Sequence, residues 1–586
     1  MRARNSILAT RFSAGQPRQR LLAALVVMLM MLGAVLLKVG ALQTWQGDSL
    51  RTAAAQQWTR DRVIDAERGA IFDRNGNELA LSVPASTISV NPMQLEDADA
   101  DLTAIGDILE LDAARLQELR DDVATCDCGF VYVARQVPTA LGEQIDELDL
   151  VGVHVVRESR RTVPGGETAI SVIGRTDIDG IGTAGLELQY DDVLTGIDGE
   201  TRVEIAPDGR SVAGTEAVLE APVPGRDLVL TIDRSVQHNV EQTLLQRVAA
   251  SHARGGQVVV LDTDTGDVLA MASVILEDGV YEITSGNHSA VDAYEPGSVG
   301  KVITIAGALN EGLDPSTTWT VPWEKVYTRA GDKLHDSHPH EPEAMNVRDI
   351  LVKSSNIGTI SVSETMGFEK QYEYIRAFGL GEETALDFPG ESPGILKFWQ
   401  EWEGTEKFTV AYGQGLSSSP IQLATAVNVI ANDGVYVAPR LVLATVDADG
   451  DLHDADAAAQ RQVISEEVAV EVQSMMRDVV CRSDGTANAA QVPGLSIAGK
   501  TGTGLVAQPD GTYFLEDGTQ ATYSSFAGFF PAEDPQVTVL VSIDQPMLAG
   551  QRAGGTAAAP AFQDLAPMLV QELGLQIPVG STGCEG

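Results

Sequence analysis

The stretch Glu295-Pro296-Gly297-Ser298-Val299-Gly300-Lys301 decides how this chain is interpreted, because a glycine- and proline-rich turn leads directly into an apolar segment. Apolar residues in that segment recur at the i, i+3, i+4, i+7 spacing of a buried helix face: Val302, Ile305, Ala306 and Leu309. Ser298 and Lys301 are three residues apart, which places them one turn apart on the same side of the predicted helix. A lysine held against an apolar helix loses hydration, so its pKa falls and it can take the proton of a serine hydroxyl. The alternative is a surface serine and lysine near a helix start.

Two further motifs follow in a fixed order. Ser354-Ser355-Asn356 lies 56 residues after Ser298 in an apolar, helix-like context, and Lys500-Thr501-Gly502-Thr503 follows a predicted strand. The S-x-N pattern also occurs at residues 89–91 and 285–287, so only position along the chain selects residues 354–356. S-x-x-K and K-T-G each occur once. The three motifs in this order are the signature of penicillin-binding proteins and class A β-lactamases.

The residue types in these motifs fit acyl transfer, which needs a nucleophile, a base, a proton relay and donors for an oxyanion. We expect Ser298 to attack a peptide carbonyl and Lys301 to accept its proton. Ser354 would pass a proton to the departing amine, with Asn356 fixing Lys301 or the substrate backbone. The substrate-binding segment would be Lys500-Thr501-Gly502-Thr503, in which Lys500, Thr501 and Thr503 hold a carboxylate. The backbone N–H groups of Ser298 and Thr503 would form the oxyanion hole.

Length and composition indicate a globular, multidomain protein. The chain has 586 residues, 44% of them hydrophobic and 21% charged, and it carries a formal charge of −43. A chain this acidic is a poor candidate for binding nucleic-acid phosphates. The acidic residues are spread along the chain, which favours a solvated acidic surface. Lysine is scarce: two of the nine lysines lie in the motifs above.

The N-terminal region predicts a membrane anchor. The first 20 residues contain five arginines and no acidic residue, and residues 21–37 are uninterrupted and apolar. As a helix, residues 21–42 would reach roughly 33 Å, enough to cross a bilayer core. The arginines place the N-terminus in the cytoplasm and the remainder outside. A cleaved signal peptide ending at the small residues 39–41 is the alternative.

The remaining pattern predicts an α+β protein with an antiparallel sheet covered by helices. We expect a cytoplasmic tail over 1–20, a transmembrane anchor over 21–42, a non-catalytic pedestal over 43–225, a catalytic domain over 226–575 and a tail over 576–586. Residues 44–67 are interpreted as an extended polar helix or stalk, Asn75-Gly76 as a hairpin turn and residues 96–150 as a small α/β insert. Strands are predicted at 257–262, 267–272, 496–502, 523–530 and 537–544, and an amphipathic helix after Asp233.

Cysteine and histidine residues leave alternatives open. The four cysteines, Cys126, Cys128, Cys481 and Cys584, do not have a zinc-binding spacing. Cys481 with Cys584 is a possible disulfide, and free buried thiols are an equal alternative. A metal site at His335, Asp336, His338 and His340 is less favoured than a solvated loop near the cleft, since the surrounding segment is polar and contains proline. No metal or cofactor is expected.

The motifs together make the chain resemble a class B penicillin-binding protein, most closely the division-specific FtsI-type branch. The resemblance covers the anchor, the Arg68-Gly69-x-Ile71-x-Asp73-Arg74-Asn75-Gly76 segment, the three catalytic motifs and Phe526-Ala527-Gly528-Phe529-Phe530-Pro531. Val299-Gly300 departs from the Thr-Phe that the family often has inside S-x-x-K. The resemblance implies a non-catalytic, dimerisation-like pedestal below a transpeptidase domain.

The implied function is cross-linking of peptidoglycan stem peptides by a serine acyl-enzyme, with β-lactams as ligands. The implied partners are a polytopic glycosyltransferase and other division proteins, contacted through residues 21–200. Two alternatives remain: a hydrolase of the D,D-carboxypeptidase or β-lactamase type, and a catalytically silent division scaffold. Intact Ser298, Lys301 and Lys500 argue against the scaffold.

Overall fold

The computed structural model describes residues 17–44, 48, 52, 58–206, 212, 214–328, 331–506, 512–515, 518–548, 550–578 and 583–584. These residues fall into two compact units. The first comprises Met1–Asp65 and Asp198–Pro222, and the second comprises Ala66–Ile197 and Val223–Gly586.

The first unit contains the apolar N-terminal helix, which runs from Pro17 to Thr44 and has no buried side chain. It is the one described helix that is long and apolar enough to cross a membrane, judged by length and composition. The unit also contains a three-stranded antiparallel sheet, in the order Thr59–Ile64, Gly199–Glu204, Ala217–Glu220. The interpretation of residues 44–67 as a helix or stalk is therefore wrong for Thr59–Ile64, which pairs as a strand. Most of residues 45–57 lie outside the described part of the chain.

The second unit begins with a seven-stranded mixed sheet centred on the long strand Glu78–Val90. Its antiparallel partners are Ile71–Phe72, Val131–Pro138 and Val153–Thr162. The predicted Asn-Gly turn is confirmed: Gly76 has a φ of +80° and closes the hairpin between the first two strands. The sheet continues through three strands from beyond residue 225, in the order Asp227–Leu230, Val442–Val446 and Leu452–Asp454.

The predicted α/β insert is confirmed as a small separate core beside this sheet. Its helices are Ala98–Ile108, Ala113–Thr125 and Thr139–Asp146. Their apolar faces, including Leu102, Ile105, Leu119 and Ile145, bury against Ile88 and Val90 of the long strand. A disulfide joins Cys126 to Cys128 at the end of the second helix. The segment that follows contains short elements at Ile170–Ile173, Arg175–Thr176, Gly182–Ala184, Gly185–Gln189 and Asp191–Leu194.

A buried cluster of charged side chains joins the segment that begins at Arg68 to the strand Val153–Thr162 and the helix Gly185–Gln189. Arg68 Nε donates to Glu187 Oε2 at 2.7 Å, and Arg161 Nε donates to Glu187 Oε1 at 2.6 Å. Arg68 also donates to Asp191 at 2.7 Å. Removing one member of such a cluster leaves an uncompensated buried charge, so the cluster constrains which chain segments can meet here.

The catalytic part of the second unit is built on a six-stranded antiparallel sheet, as the sequence predicts. Its strands run in the order Val280–Ile283, Val268–Glu277, Gly255–Asp262, Val537–Asp544, Thr522–Phe530, Ala498–Leu505. The strand Ala498–Leu505, called the KTG strand below, is the last of the described sheet. One of its edges therefore has no strand partner within the described residues and is free to face a ligand.

Helices cover both faces of this sheet. Phe526 and Phe530 pack on Phe562 of the helix Ala558–Glu572. Phe529 points to the opposite face from Phe530, because side chains alternate along a strand, and its cross-strand partner Thr538 shares that face. There Thr538 donates to Asn428 of the helix Pro420–Ala431 at 2.7 Å. The predicted helix after Asp233 is confirmed as Arg234–Ala250, and the Asp233 side chain caps it. The layers therefore form a sheet between helices.

The other helices of this part are His288–Val291, Lys301–Asn310, Val347–Val352, Asn356–Met366, Phe368–Ala377, Glu406–Thr409 and Glu466–Cys481. Short strands occur at Thr318–Val321, Glu324–Val326, Lys333–His335, Glu343–Asn346, Val435–Val437 and Gln460–Gln462. Cys481, at the end of its helix, is joined to Cys584. Of the two alternatives left open by the sequence, the structure therefore has the disulfide, which closes a loop containing the KTG strand.

Candidate active site

Ser298 lies in a single turn of 3-10 helix, Gly297–Gly300, that passes directly into the helix Lys301–Asn310. Side chains three residues apart eclipse each other in a 3-10 turn, so Ser298 and Lys301 face the same side. The predicted apolar face is buried, and so are the other positions from Lys301 to Leu309. A helix buried on all sides sits at the centre of the domain. Lys301 itself has no exposed surface, whereas Ser298 is partly exposed.

The segment Gly413–Pro420, named the support loop here, holds the Ser298 turn in place. Gly297 N donates to Gly413 O at 2.9 Å, and Tyr294 and Ser418 exchange two backbone hydrogen bonds of 3.1 and 3.0 Å. Gly297 and Gly413 have φ angles of +55° and +80°. A Cβ atom on Gly413 would lie 2.1 Å from Gly297 O, so only glycine permits this approach.

Ser354 is the meeting point of the two motif lysines. Lys301 Nζ donates to Ser354 O at 2.5 Å and lies 3.1 Å from Ser354 Oγ. Lys500 Nζ lies 3.0 Å from the same Oγ atom and donates to Thr501 O at 3.1 Å. Ser354 has a φ of +58°, a left-handed conformation that is uncommon for a non-glycine residue. Such conformations persist where neighbouring groups impose them, and here the amines of Lys301 and Lys500 hold Ser354 in place.

Burial changes the protonation of both lysines. Desolvation lowers the pKa of Lys301 to about 7, although the charge of Asp336 opposes this change. Desolvation, followed by the charge of Lys301, places the pKa of Lys500 well below its usual range. Two ammonium groups that approach one hydroxyl oxygen repel each other, so the pair titrates as a unit. Near neutral pH at least one of the two is a neutral amine, able to accept a proton.

Asn356 has a different partner from the one expected. Its Nδ2 donates to His335 O at 2.9 Å rather than to Lys301, and its side chain lines the same cleft as Ser298. The expectation that Asn356 fixes Lys301 is therefore not what this structure shows. A direct contact to the substrate backbone stays a prediction.

The interpretation of the His335–His340 segment as a solvated loop is wrong for Asp336. This residue is 5% exposed and accepts hydrogen bonds from Ser355 Oγ at 2.7 Å and Ile357 N at 2.9 Å. It also accepts from His340 Nε2 at 3.1 Å. His338 is exposed and lines the cleft. Across the described ranges no cluster of His, Cys, Asp and Glu side chains is arranged to hold a metal ion.

The KTG strand closes the other side of the cleft and is packed tightly against the Ser298 turn. Thr501 Oγ1 is 2.8 Å from Thr486 Oγ1. A Cβ atom on Gly502 would lie 2.8 Å from Pro296 O, which explains the glycine between the two threonines. Thr503 O lies 2.6 Å from the position that a Cβ on Gly297 would take. The backbones of residues 297–298 and 502–504 are therefore neighbours, as an oxyanion hole shared by Ser298 and Thr503 requires.

The cleft between these elements has a volume of about 620 Å³. Six of the predicted site residues line it: Ser298, Ser354, Asn356, Thr501, Gly502 and Thr503. Lys301 and Lys500 lie beneath it, fully buried. No Asp or Glu is among the described residues that line the cleft, although the chain carries a charge of −43. An anionic group can therefore enter without meeting a carboxylate at the wall.

Sequence reasoning missed several residues that shape the site. Glu295 Oε1 accepts from Gly415 N at 3.0 Å and so ties the turn to the support loop. Glu295 begins the stretch that leads into the Ser298 turn, but no local pattern reveals its contact with Gly415, 120 positions away. Thr486 and Asp336 lie outside the three motifs. Polar residues are common in loops, so the sequence around these two residues does not indicate that they contact the site.

Comparison with known proteins supports the family resemblance. Residues 256–566 match the family described as "Penicillin binding protein transpeptidase domain", and residues 63–230 match "Penicillin-binding Protein dimerisation domain". The chain is 34% identical to penicillin-binding protein PbpB of Mycolicibacterium smegmatis, over 90% of this chain and 86% of that protein. It is 30% identical to peptidoglycan D,D-transpeptidase FtsI of Escherichia coli, over 95% of this chain and 92% of the relative.

The fold is similar to that of solved proteins. Penicillin binding protein 3 of Mycobacterium tuberculosis, crystallised with aztreonam, superposes with a TM-score of 0.68 at 30% sequence identity. The superposition covers 88% of this chain and 98% of that one. A peptidoglycan synthetase of Bifidobacterium adolescentis gives a TM-score of 0.69 at 28% identity, over 89% and 98% of the two chains.

We predict that Gly413→Ala slows labelling of Ser298 by a fluorescent penicillin about tenfold or more, because the new methyl group displaces the Ser298 turn. The labelling rate is measured by gel fluorescence. Gly367→Ala is the matched control: Gly367 has a φ of +83° with nothing within 4 Å of the added Cβ. Gly367 has a ψ of 166° against 28° for Gly413, so the control carries at least as much backbone strain without the clash. Equal labelling rates in the two variants would contradict the role assigned to the support loop.

Proposed function

The chain belongs to the class B penicillin-binding proteins, and on this premise we propose that it is a peptidoglycan D,D-transpeptidase that works through a serine acyl-enzyme. The observation that carries the proposal is the convergence of Lys301 and Lys500 on Ser354 Oγ, at 3.1 and 3.0 Å, beneath a cleft lined by Ser298. These groups are the nucleophile, base and relay that acyl transfer needs.

Acylation begins when Ser298 Oγ attacks the carbonyl carbon between the two terminal D-alanines of a donor stem peptide. Neutral Lys301 takes the hydroxyl proton, which its lowered pKa allows near pH 7. The carbonyl oxygen becomes an oxyanion that the backbone N–H groups of Ser298 and Thr503 stabilise. The terminal carboxylate binds Lys500, Thr501 and Thr503, and its negative charge favours the protonated form of Lys500.

The tetrahedral intermediate then collapses and the carbon–nitrogen bond breaks. The departing amine takes a proton through Ser354 Oγ, which contacts both lysines and so can pass on the proton that Lys301 received. D-alanine leaves and an ester on Ser298 remains. An amine of a second stem peptide attacks that ester, gives up a proton along the same relay and restores free Ser298. One peptide bond breaks and one forms, so no external energy source is required.

The same proposal covers the organisation of the chain. The helix Pro17–Thr44 has 28 residues and would reach about 42 Å, longer than a bilayer core. We propose that it is a single-pass anchor over residues 21–42 with the N-terminus in the cytoplasm, followed by a pedestal over 43–225 and a transpeptidase domain over 226–575. The family matches at 63–230 and 256–566 support these limits. A polytopic glycosyltransferase and other division proteins are the proposed partners of residues 21–200.

We predict that penicillin forms a stable covalent adduct on Ser298 of the full-length protein in detergent. Intact-mass and peptide mass spectrometry should find the adduct in the wild type and lose it in Ser298→Ala, because only the serine hydroxyl can form the ester. Ser337→Ala is a matched control, because Ser337 lines the same cleft but lies outside the motifs. In that variant, Ser298 should still be acylated. An adduct that is hydrolysed within seconds would favour a β-lactamase. Wild-type protein that forms no adduct would favour a catalytically silent scaffold and contradict the proposal.

The division role is tested separately by location in the cell. We expect a fluorescent fusion of the full chain to concentrate at the division septum, as the 30% identity to FtsI suggests. Replacing residues 21–42 with an unrelated membrane-spanning helix should weaken that localisation if the anchor contacts partners. Uniform labelling of the lateral membrane by the unmodified chain would exclude the division role while leaving transpeptidation intact.

A further inference from the structure

Among the described residues, the buried carboxylate of Asp336 is the acidic group whose charge acts on Lys301, the proposed base. Its side chain is 7% exposed and accepts three hydrogen bonds. Two come from residues just after Ser354, at the start of the helix Asn356–Met366: Ser355 Oγ at 2.7 Å and Ile357 N at 2.9 Å. The third comes from His340 Nε2 at 3.1 Å. A carboxylate with three donors is fixed in place, and it fixes the donors in return.

The chain around Asp336 is itself anchored, so the carboxylate can position the loop. Asp336 N donates to Trp323 O at 2.9 Å, and Trp323 Nε1 donates to Asp336 O at 3.2 Å. The neighbouring carbonyl of His335 accepts the Asn356 amide at 2.9 Å. The Ser354–Asn356 loop is therefore attached at its second and third residues to this one point. Ser354, the first residue, is left to contact the lysines.

The charge of Asp336 has a second effect, because the carboxylate and Lys301 contact adjacent residues of one loop: Ser355 donates to Asp336, and Ser354 O accepts from Lys301 Nζ at 2.5 Å. Asp336 is the acidic group that raises the pKa of Lys301, against the larger lowering by burial. No salt bridge within the described residues involves Lys301 or Lys500, so their surroundings contain little other compensation. The charge of Asp336 acts on Lys301, Tyr327 and Tyr412, and His335 and His340 contact Asp336 directly. Lys301 itself is faced by Lys500 and by the ring of Tyr412.

We propose that Asp336 is a positioning residue for acylation, one that orients Ser354 through Ser355 and Ile357 and whose negative charge sets the pH range in which Lys301 acts as a base. The proposal rests on the proposed function, since it assigns a role within the same reaction. It adds a residue outside the three motifs, contributed by a segment that the sequence suggests is only a loop.

The direction of the pH effect follows from the charges. A negative Asp336 favours the protonated form of Lys301, so Lys301 becomes a base only as the pH rises through its pKa. Without that charge, Lys301 loses its proton at lower pH. The acid side of the acylation rate profile should therefore move to lower pH when Asp336 is neutralised. A residue that served only to hold the loop would change the height of the profile and leave its midpoint in place.

The experiment measures the second-order rate of Ser298 acylation by penicillin between about pH 5 and pH 9, using the full-length protein in detergent. For Asp336→Asn we expect the acid midpoint to fall by about half a pH unit or more and the plateau rate to fall several-fold, because the amide cannot accept all three donors. Ser355→Ala is the matched control, since it removes one of the hydrogen bonds and keeps the charge. Its plateau rate should fall while its midpoint stays at the wild-type value.

A variant at the partly exposed His340 tests the same idea if Asp336→Asn does not fold. Burial lowers the pKa of His340, but its bonds to the Glu341 carbonyl and to Asp336 outweigh this and raise it overall. Both ring nitrogens of His340 face oxygen acceptors, Glu341 O at 2.8 Å and Asp336 Oδ2 at 3.1 Å, which favours the protonated ring. That cation offsets part of the charge of Asp336. His340→Gln keeps a hydrogen-bond donor and removes that cation, so the acid midpoint should move to higher pH, opposite to the Asp336→Asn effect.

The outcomes separate this proposal from the proposed function. Wild-type protein that is not acylated at Ser298 would contradict the function itself. Acylated wild type with an unchanged midpoint in Asp336→Asn would overturn only the role of Asp336. An equal midpoint shift in Ser355→Ala would also overturn it, because the shift would then follow loop geometry rather than charge. An unchanged or lowered midpoint in His340→Gln would do the same.

Discussion

The desolvation of two lysines around one serine hydroxyl is the constraint on which the site depends. Lys301 and Lys500 are fully buried, and their hydrogen bonds converge on Ser354. Burying two cations without a carboxylate in contact is unfavourable, and the resulting loss of charge supplies a neutral amine near pH 7. In the proposed mechanism, the instability of the charged pair is therefore the origin of the base. An acidic residue in direct contact would stabilise the ammonium forms and remove that base.

The surrounding fold keeps water and acid away from this pair while leaving Ser298 accessible. The helix that begins at Lys301 is buried on all sides at the centre of the domain, which desolvates the amine from below. Three backbones meet above it, from the Ser298 turn, the support loop and the KTG strand. They approach so closely that Gly297, Gly413 and Gly502 have no room for a side chain. These glycines therefore set the geometry of the site, and the positions of the two lysines depend on that geometry.

The fold class and the three motifs could be predicted because they depend on patterns within short stretches of sequence. The i, i+3, i+4, i+7 pattern after Ser298, the Asn-Gly turn and the short apolar strand segments all reflect interactions between residues close in sequence, and the structure has each of them. The strand Thr59–Ile64 was missed because its pairing with Gly199–Glu204 involves a distant segment. Asp336 and the support loop were missed for the same reason: their roles come from contacts with residues far along the chain. The Cys481–Cys584 disulfide stayed open because spacing alone does not bring two thiols together.

We claim that burial lowers the pKa of Lys301 to about 7, so that a large fraction of this side chain is the neutral amine at physiological pH. Its titration can be observed directly. The chain has only nine lysines, so full-length protein labelled with carbon-13 at the lysine ε position should give a resolvable NMR spectrum. The Lys301 signal would be assigned by its loss in Lys301→Arg. Because burial lowers its pKa, we predict that this signal titrates near pH 7. A Lys301 that keeps its proton to above about pH 10, the range of an exposed lysine, would contradict the account.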